Sequence, residues 1–241
     1  MPLLEWLTKK LTKYHNFEKN DKMTDSLFYT KAKSYWATIP PTIDGVLGGF
    51  GHISEIDVDG SRAFLDEILA FENPPATKIA LDCGAGIGRV SKYVLIPRFE
   101  KVDLVEQDEK FINKAKEFID TDNAKVGTMY QAGLQNFKPD KHYDVIWCQW
   151  VIGHIKDYDL IDFLERCRMS LNKHGVIVVK DNVASSTVLE YDEDDSSVTR
   201  PLKLLEILFE QAKLKTVKTV IQKGFPDHIY PVHSFALTAV E

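Results

Sequence analysis

The sequence predicts an α/β protein with a doubly wound, seven-stranded, mostly parallel sheet. Short apolar segments alternate with helical patterns through most of residues 78–211, which is typical of βαβ units with helices on both faces of a sheet. A glycine-rich turn follows the first of these segments. Two segments of alternating polarity, 215–223 and 234–240, indicate an antiparallel pair that closes the sheet.

The 241 residues suit one domain with an extension. We expect a partly ordered N-terminal helical extension over residues 1–24 and a main domain over 25–241. Within the main domain, residues 25–72 are expected to form a helical cap on the substrate side, and residues 73–241 the core.

The expected cap contains two helices and a glycine-rich segment. Residues 28–36 read as a helix that Pro40 and Pro41 end, because proline cannot continue it. Four glycines between residues 45 and 51 predict a sharply bending loop. Ser61 is expected to cap the next helix.

The expected core begins with five parallel strands, at 78–83, 101–106, 126–131, 143–147 and 175–180. Helical patterns follow Gly88 and also occupy 108–119 and 160–171. A long loop over 182–200 then leads to a helix that Thr199 caps and Pro201 opens.

The composition excludes several classes of function. The net charge of −6 gives no general nucleic-acid footprint, since that needs a clustered basic face. No apolar run is long enough to cross a bilayer. Cys83, Cys148 and Cys167 lack metal-site spacing and read as reduced core residues of an intracellular protein. We therefore expect no metal, no nucleic acid and no membrane as partners.

The first two core strands end in a pattern that indicates a nucleoside ligand. Gly84, Gly86 and Gly88 follow the first strand, and Glu106 ends the second. Glycine lacks a Cβ and accepts positive φ, so the turn lets a ligand approach the backbone. A carboxylate at the end of the next strand is placed to bind a ribose diol.

The spacing of this turn favours one kind of nucleoside. A dinucleotide site requires G-x-G-x-x-G, but Arg89 stands where that motif has its third glycine. Asp82 would repel a pyrophosphate and suits a cationic amino-acid end, while Arg89 could pair with an α-carboxylate. S-Adenosylmethionine has these groups and a ribose. An ordinary βα turn also contains glycines, but Asp82, Arg89 and Glu106 together favour the methyl donor.

Polar side chains follow the fourth and fifth strands. Gln149, Trp150 and His154 follow the fourth, and the Lys-Asp-Asn of 180–182 ends the fifth. Each alone is compatible with a structural role, but ligands of doubly wound sheets bind beyond the carboxyl ends of the strands. An acidic run at 190–197 lies in the next loop and would attract a cationic substrate.

Several segments together are similar to the family of protein N-terminal α-amine methyltransferases. They are LDCGAGIGR, IPPTIDGVLGGFGHIS, IWCQWVIGH, KDN and DDSSVTR, and the similarity runs over residues 28–240. The resemblance implies a class I, Rossmann-like fold that uses S-adenosylmethionine and releases S-adenosylhomocysteine. It also implies protein substrates that begin X-Pro-Lys or X-Pro-Arg after removal of the initiator methionine.

The resemblance also implies roles for individual residues. Those matched to cofactor binding are Trp36, Gly84, Arg89, Glu106, Gln107, Asp108, Leu134, Gln135 and Gln149. Those matched to substrate binding are Leu47, Ile53, Trp150, Asn182, Asp192, Ile229 and Tyr230. The pair matched to proton removal is His154 and Asp195. The chain departs from the pattern at Glu106, where relatives often carry aspartate, and in a slightly longer loop over 183–194.

The chemistry explains why such residues are needed. A protein α-amine has a pKa of about 7.7–8.0, so it is mostly protonated near neutral pH. His154 can take up the proton because imidazole titrates in that range, while Asp195 accepts it directly or holds His154 in the useful tautomer. Aromatic walls suit a cationic sulfonium and a methylated product. A proline ring enters an apolar slot already bent.

Three other functions stay open at the level of sequence. A small-molecule N-methyltransferase would share the donor site, although the acidic loop and the proline-sized pocket argue against it. A non-catalytic donor-binding module would need no base such as His154. Arg89 disfavours a nicotinamide dehydrogenase. We expect a monomer that is cytoplasmic, nuclear or both.

Overall fold

The computed structural model describes residues 25–120 and 124–240. The extension expected over 1–24 therefore lies outside the described residues. Within the described residues, three α-helices precede the first strand, and they are Asp25–Thr38 (α1), Ile43–Val46 (α2) and Ser54–Leu69 (α3). The division between cap and core at residue 73 stays a prediction.

The rest of the described chain alternates strands and helices. The strands are Ile79–Cys83 (β1), Lys101–Glu106 (β2), Val126–Gln131 (β3), Tyr143–Gln149 (β4), Leu171–Ala184 (β5), Glu190–Asp192 (β6), Ser197–Pro201 (β7), Leu214–Ile221 (β8) and Val232–Ala239 (β9). The helices are Glu109–Ile119 (α4), Asp157–Met169 (α5) and Leu202–Gln211 (α6). Shorter helical turns are Gly51–Ile53, Ser91–Leu95 and Ile152–His154.

Seven of the nine described strands lie in the order β3-β2-β1-β4-β5-β9-β8, and β7 and β6 join the same sheet beside the end of β5. The first five of these pair in parallel. β9 runs antiparallel to both β5 and β8. The predicted fold class and the predicted antiparallel closing pair are both confirmed. None of the described helices is long and apolar enough to cross a membrane.

Both faces of the sheet are covered by helices. One apolar cluster contains Phe163 of α5 and the apolar side of α6, and the other contains Phe64 of α3 and part of α4. Because successive strand residues point to opposite faces, Ile146 of β4 joins the first cluster and Trp147 joins the second.

The strand order reverses at β1, which has β2 on one side and β4 on the other. Cys83 at the end of β1 pairs with Cys148 near the end of β4. The glycine turn after β1 and Trp150 after β4 therefore emerge side by side. Ligands of doubly wound sheets bind at such a reversal.

The predicted loop over 182–200 was wrong. β5 continues to Ala184, and β6 and β7 form a hairpin whose second strand pairs with the end of β5. Thr199 lies in β7 and does not cap a helix; α6 begins at Leu202 with Pro201 as its N-cap. The segment is short and acidic, so its strand pairing depends on β5 and not on a local apolar pattern.

One predicted feature of the first half was also wrong. Ser61 lies inside α3 and is fully buried, with its hydroxyl donating to Gln149 Oε1 at 3.3 Å. The helical pattern predicted after Gly88 is confirmed by a short helix over residues 89–95, of which Ser91–Leu95 has π-helical geometry. The glycine-rich segment 45–51 does bend sharply, but α2 ends within it and a 3₁₀ turn begins at its last residue.

Candidate active site

The glycine turn after β1 lies against the segment that follows β4. Gly84 has φ +69° and Gly86 has φ +54°, a region that favours glycine. A Cβ on Gly84 would lie 2.4 Å from Cγ2 of Val151. Any side chain at Gly84 would therefore push these two segments apart.

Glu106 fastens the turn to the end of β2. Its carboxylate accepts hydrogen bonds from the backbone N–H of Gly86 and of Asp108, both at 2.9 Å. Burial raises the pKa of Glu106, and these backbone donors oppose the shift. Asp108 itself caps α4, accepting from the N–H of Lys110 at 2.8 Å.

A cavity opens over the turn, here called the donor cavity. Eight of the nine residues matched to the cofactor line it, and they are Trp36, Gly84, Arg89, Glu106, Gln107, Leu134, Gln135 and Gln149. The ninth, Asp108, does not line it. The cofactor roles of all nine stay predictions.

Arg89 carries a buried donor that faces no protein acceptor. Its Nη2 pairs with Oδ2 of Asp57 at 2.7 Å, whereas Nη1 is buried without a hydrogen-bond partner. Arg89 lines the donor cavity. An unpaired guanidinium nitrogen fits a ligand that brings a carboxylate, as S-adenosylmethionine does.

Two other polar residues of the donor cavity are occupied by the protein itself. Gln149 donates to both carboxylate oxygens of Asp57, at 3.0 and 2.8 Å, and accepts from the indole of Trp147 at 3.0 Å. Asp82 accepts from the N–H and hydroxyl of Ser91, and burial raises the pKa of Asp82 to about 6. Both residues shape the wall of the cavity.

A second cavity, here called the acceptor groove, adjoins the first. Of the residues matched to substrate and catalysis, those that line it are Leu47, Ile53, Trp150, His154, Asn182, Asp195, Ile229 and Tyr230. Asp192 is exposed and lines neither cavity. The side chains shared by both cavities are Trp36, Val46, Leu47, Trp150 and His154, so the two spaces meet at these residues.

His154 lies at this junction beside Asp195 and Trp36. Its Nε2 is 3.9 Å from Oδ2 of Asp195 and accepts a 3.1 Å hydrogen bond from the indole N–H of Trp36. Burial lowers the pKa of His154, and the negative charge of Asp195 opposes that shift. Nδ1 of His154 and Oδ1 of Asp195 are buried without partners. The arrangement provides a neutral imidazole next to a carboxylate with spare acceptor capacity.

The β6–β7 hairpin brings Asp195 to this place. Ser196, at its tip, has φ +56° and is buried. Its hydroxyl donates to the carbonyl of Phe28 at 3.1 Å and lies 3.1 Å from the hydroxyl of Tyr191. The hairpin is therefore fastened to α1, the helix that carries Trp36.

Trp150 lies where the two cavities meet and lines both of them. Its φ is +50°, unusual for a bulky residue. The indole donates to Oδ1 of Asn182 at 3.2 Å, and its ring stacks on Phe225 with centroids 6.3 Å apart. On the rim, Tyr230 donates to Glu190 at 2.6 Å, which links the loop before β9 to the hairpin.

Residues 24–238 match the family of AdoMet-dependent proline di-methyltransferases. The chain belongs to this family. It is an S-adenosylmethionine-dependent methyltransferase with the class I fold, so the dehydrogenase and the non-catalytic module are set aside.

Curated relatives agree with this assignment. The N-terminal Xaa-Pro-Lys N-methyltransferase 1-A of Xenopus laevis is 47% identical over 216 residues, which cover 88% of this chain and 96% of the relative. The N-terminal Xaa-Pro-Lys N-methyltransferase 1 of Homo sapiens is 48% identical and covers 87% and 95%. The α N-terminal protein methyltransferase 1 of Drosophila melanogaster is 46% identical and covers 90% and 78%.

Solved structures share the fold. An S-adenosylmethionine-dependent methyltransferase of Leishmania major has a TM-score of 0.82 and 33% identity, covering 88% of this chain and 83% of its own. Another from Clostridium acetobutylicum has a TM-score of 0.61 and 13% identity, covering 81% and 100%, and supports the fold alone.

Some residues of this methyltransferase site had no role in the sequence-based predictions. Nothing in the sequence indicated that Asp57 belongs to the site, because a single acid in an amphipathic helix usually lies on its solvent-exposed face. Lys180 was noticed only as a polar strand end, yet it is fully buried. Asp181 lines the groove, and burial raises the pKa of Asp181 to about 6. His228 lines the groove against Phe50, and nothing in the sequence indicated it.

Proposed function

We propose that this protein methylates the free α-amino group of proteins that begin Xaa-Pro-Lys or Xaa-Pro-Arg. One observation carries the proposal: an open groove meets the donor cavity at His154, with Asp195 3.9 Å from its Nε2. The names of the curated relatives from Xenopus laevis and Homo sapiens include Xaa-Pro-Lys.

The residues of the donor cavity hold the cofactor in this proposal. S-Adenosylmethionine supplies a methyl group on a sulfonium when it is bound. Nη1 of Arg89 pairs with the amino-acid carboxylate, since it is the buried donor without an acceptor. Glu106 binds the ribose from the end of β2, and Leu134 and Gln135 contact the adenine.

His154 and Asp195 make the substrate amine nucleophilic. Nε2 of His154 takes the proton of the α-ammonium, and the carboxylate of Asp195 stabilises the imidazolium that results. The indole N–H of Trp36 donates to the same nitrogen at 3.1 Å. This hydrogen bond breaks when Nε2 takes up the proton. The low pKa of His154 keeps the imidazole neutral and ready to accept.

The acceptor groove reads the first residues of the substrate. Leu47, Ile53 and Ile229 line it and receive the proline ring, which lacks an N–H and fixes φ. Asn182 binds the backbone of the first residue, and Tyr230 adds a further polar contact. Asp192, exposed on the hairpin, attracts the third, basic residue across solvent.

Mass spectrometry of a Ser-Pro-Lys peptide after reaction tests the proposal. We expect mass increments of single methyl groups on the N-terminal nitrogen. The same peptide with an acetylated N-terminus is the matched control and should gain none. Methylation of the acetylated control, or of a panel of small amines in preference to the free peptide, would contradict the proposal and favour the small-molecule N-methyltransferase.

A monomeric state and a location in the cytoplasm, the nucleus or both stay predictions. Light scattering coupled to size-exclusion chromatography measures the first, and imaging of the tagged protein in its own cells measures the second.

A further inference from the structure

A buried charge cluster lies behind the donor cavity. Asp57 of α3 is 0% exposed and pairs with two cations, Nη2 of Arg89 at 2.7 Å and Nζ of Lys180 at 2.6 Å. Gln149 donates to both oxygens of the same carboxylate. Asp57 is thus the shared acceptor of three side chains from three different parts of the sheet edge.

Lys180 is held as firmly as Asp57. Its ammonium donates to the hydroxyl of Ser61 at 3.0 Å, to Oε1 of Gln222 at 2.8 Å and to the carbonyl of Asp57 at 3.1 Å. A Cβ on Gly60 would lie 2.1 Å from Oε1 of Gln222, so the glycine leaves the space through which Gln222 reaches the lysine.

Of the three charged members of this cluster, Arg89 is the one that lines the donor cavity. Asp57 engages Nη2 and leaves Nη1 buried without a partner. A guanidinium is planar, so fixing one of its terminal nitrogens restricts the position of the other. The direction of Nη1 therefore depends on Asp57.

We propose that Asp57, anchored by Lys180, is a positioning residue that aims Arg89 at the carboxylate of the donor's amino-acid end. This inference rests on the cofactor role of Arg89 in the proposed function. It adds that the donor site is completed by α3, outside the sheet, so part of the donor's affinity depends on how α3 packs.

Buried ion pairs are weak evidence for stability, because desolvation offsets much of their attraction. A purely structural role for Asp57 predicts that its loss weakens every adenosyl ligand alike. The positioning role predicts a loss confined to ligands with an amino-acid end. Methylthioadenosine has the adenosine and the sulfur but no amino-acid end, whereas S-adenosylhomocysteine has all three.

The test is calorimetric titration of both ligands into wild-type protein and Asp57→Asn. We expect the variant to bind S-adenosylhomocysteine about tenfold more weakly or worse, the effect of a disturbed hydrogen bond between charged groups. Binding of methylthioadenosine should stay at the wild-type value. The matched control is Asp66→Asn, on the same helix, where the carboxylate forms an exposed pair with Arg98; both affinities should be unchanged there.

Equal losses for the two ligands, or no loss for S-adenosylhomocysteine, would overturn the positioning role. Should Asp57→Asn fail to fold, Lys180→Met replaces it, because it removes the cation that anchors Oδ1 of Asp57 and keeps a side chain of similar length. That variant should show the same selective loss.

The binding test is independent of the peptide assay. A wild-type protein that fails to methylate Ser-Pro-Lys peptides while Asp57→Asn loses S-adenosylhomocysteine selectively would refute the proposed substrate and leave the positioning role standing.

Discussion

The donor cavity and the acceptor groove are built from different parts of the chain. The donor cavity lies over the ends of β1, β2 and β4. Its polar residues Gln149, Asp82 and Glu106 find hydrogen-bond partners within the protein. The acceptor groove is lined largely by segments outside the parallel strands: the glycine-rich segment, the hairpin and the loop before β9.

The polar atoms of the two sites differ accordingly. In the groove, His154 and Asp195 each keep a buried atom without a partner, and an unpaired buried polar atom is costly unless a ligand satisfies it. Among the residues that line the donor cavity, Arg89 also has a buried atom without a partner, its Nη1. The protein itself therefore orders most polar residues of the donor cavity, whereas the His154–Asp195 pair offers two buried atoms that a substrate can satisfy.

Replacing either His154 or Asp195 should give the largest loss of activity. It should also distinguish the two sites, because catalysis is lost while cofactor binding is kept. We expect His154→Ala and Asp195→Asn each to lower kcat by about 10²–10⁴-fold, because a positioned base contributes that much, while S-adenosylhomocysteine binds as before. Steady-state kinetics and calorimetry measure the two quantities. His142→Ala, an exposed histidine before β4, is the control, and a normal kcat in both test variants would remove the pair from the mechanism.

The junction residue Trp36 should affect the pH dependence of catalysis. His154 must be neutral to accept a proton, so activity falls as pH drops through its pKa, which lies below the ordinary 6.5. Trp36→Phe removes an N–H donor that favours the neutral ring of His154. The pKa of His154 should therefore rise, and activity should be lost at a higher pH than in the wild type. NMR titration of His154 measures the pKa directly.

Asp195→Asn serves as the opposed control for that titration. The charge of Asp195 raises the pKa of His154, so this variant should lower it. Shifts of the same sign in the two variants would contradict the assigned contacts.

The hairpin should contribute a smaller effect, on specificity. Asp192→Asn is expected to reduce the preference for lysine over glutamine at the third substrate position by about threefold, since exposed charges interact weakly across solvent. Peptide competition at low and high salt measures the ratio, and salt should reduce the preference of the wild type. The control is Glu210→Gln, on the exposed surface of α6, which should not change the preference for lysine. If Asp192→Asn does not change that preference either, Asp192 does not select the third residue.

The smallest expected effect concerns the helix shared by both sites. Lys110 donates to the carbonyls of Trp36, Ala37 and Ile39 at 3.1, 2.9 and 2.6 Å, and a cation at a helix C-terminus is stabilising. Lys110→Met should lower the Tm by a few degrees and raise both KM values about twofold to fivefold. Lys114→Met, one turn on, loses only an exposed pair with Glu117 and is the control. A rise in only one KM would show that α1 does not serve both sites together.

Much of the fold was predictable from sequence because local periodicity reports burial. The strands over 101–106 and 126–131 were predicted with their observed bounds. Ser61 was misread because a buried serine on the inner face of a helix looks the same in sequence as a helix cap. The loop over 182–200 was misread because its strands form only through pairing, β7 with the end of β5 and β6 with β7.

The sequence by itself determined the glycine turn, the acid that ends β2, the polar residues near the carboxyl ends of β4 and β5, and the family, since each is a local motif of fixed spacing. Only the tertiary structure decided which buried charges meet. Asp57, Arg89 and Lys180 are far apart in the chain, and their pairing follows from how α3 packs on the sheet. The contact of Trp36 with His154 was decided in the same way. An apolar pattern in the sequence predicts which face of an element is buried. The partner of a buried charge depends on how the elements pack against one another.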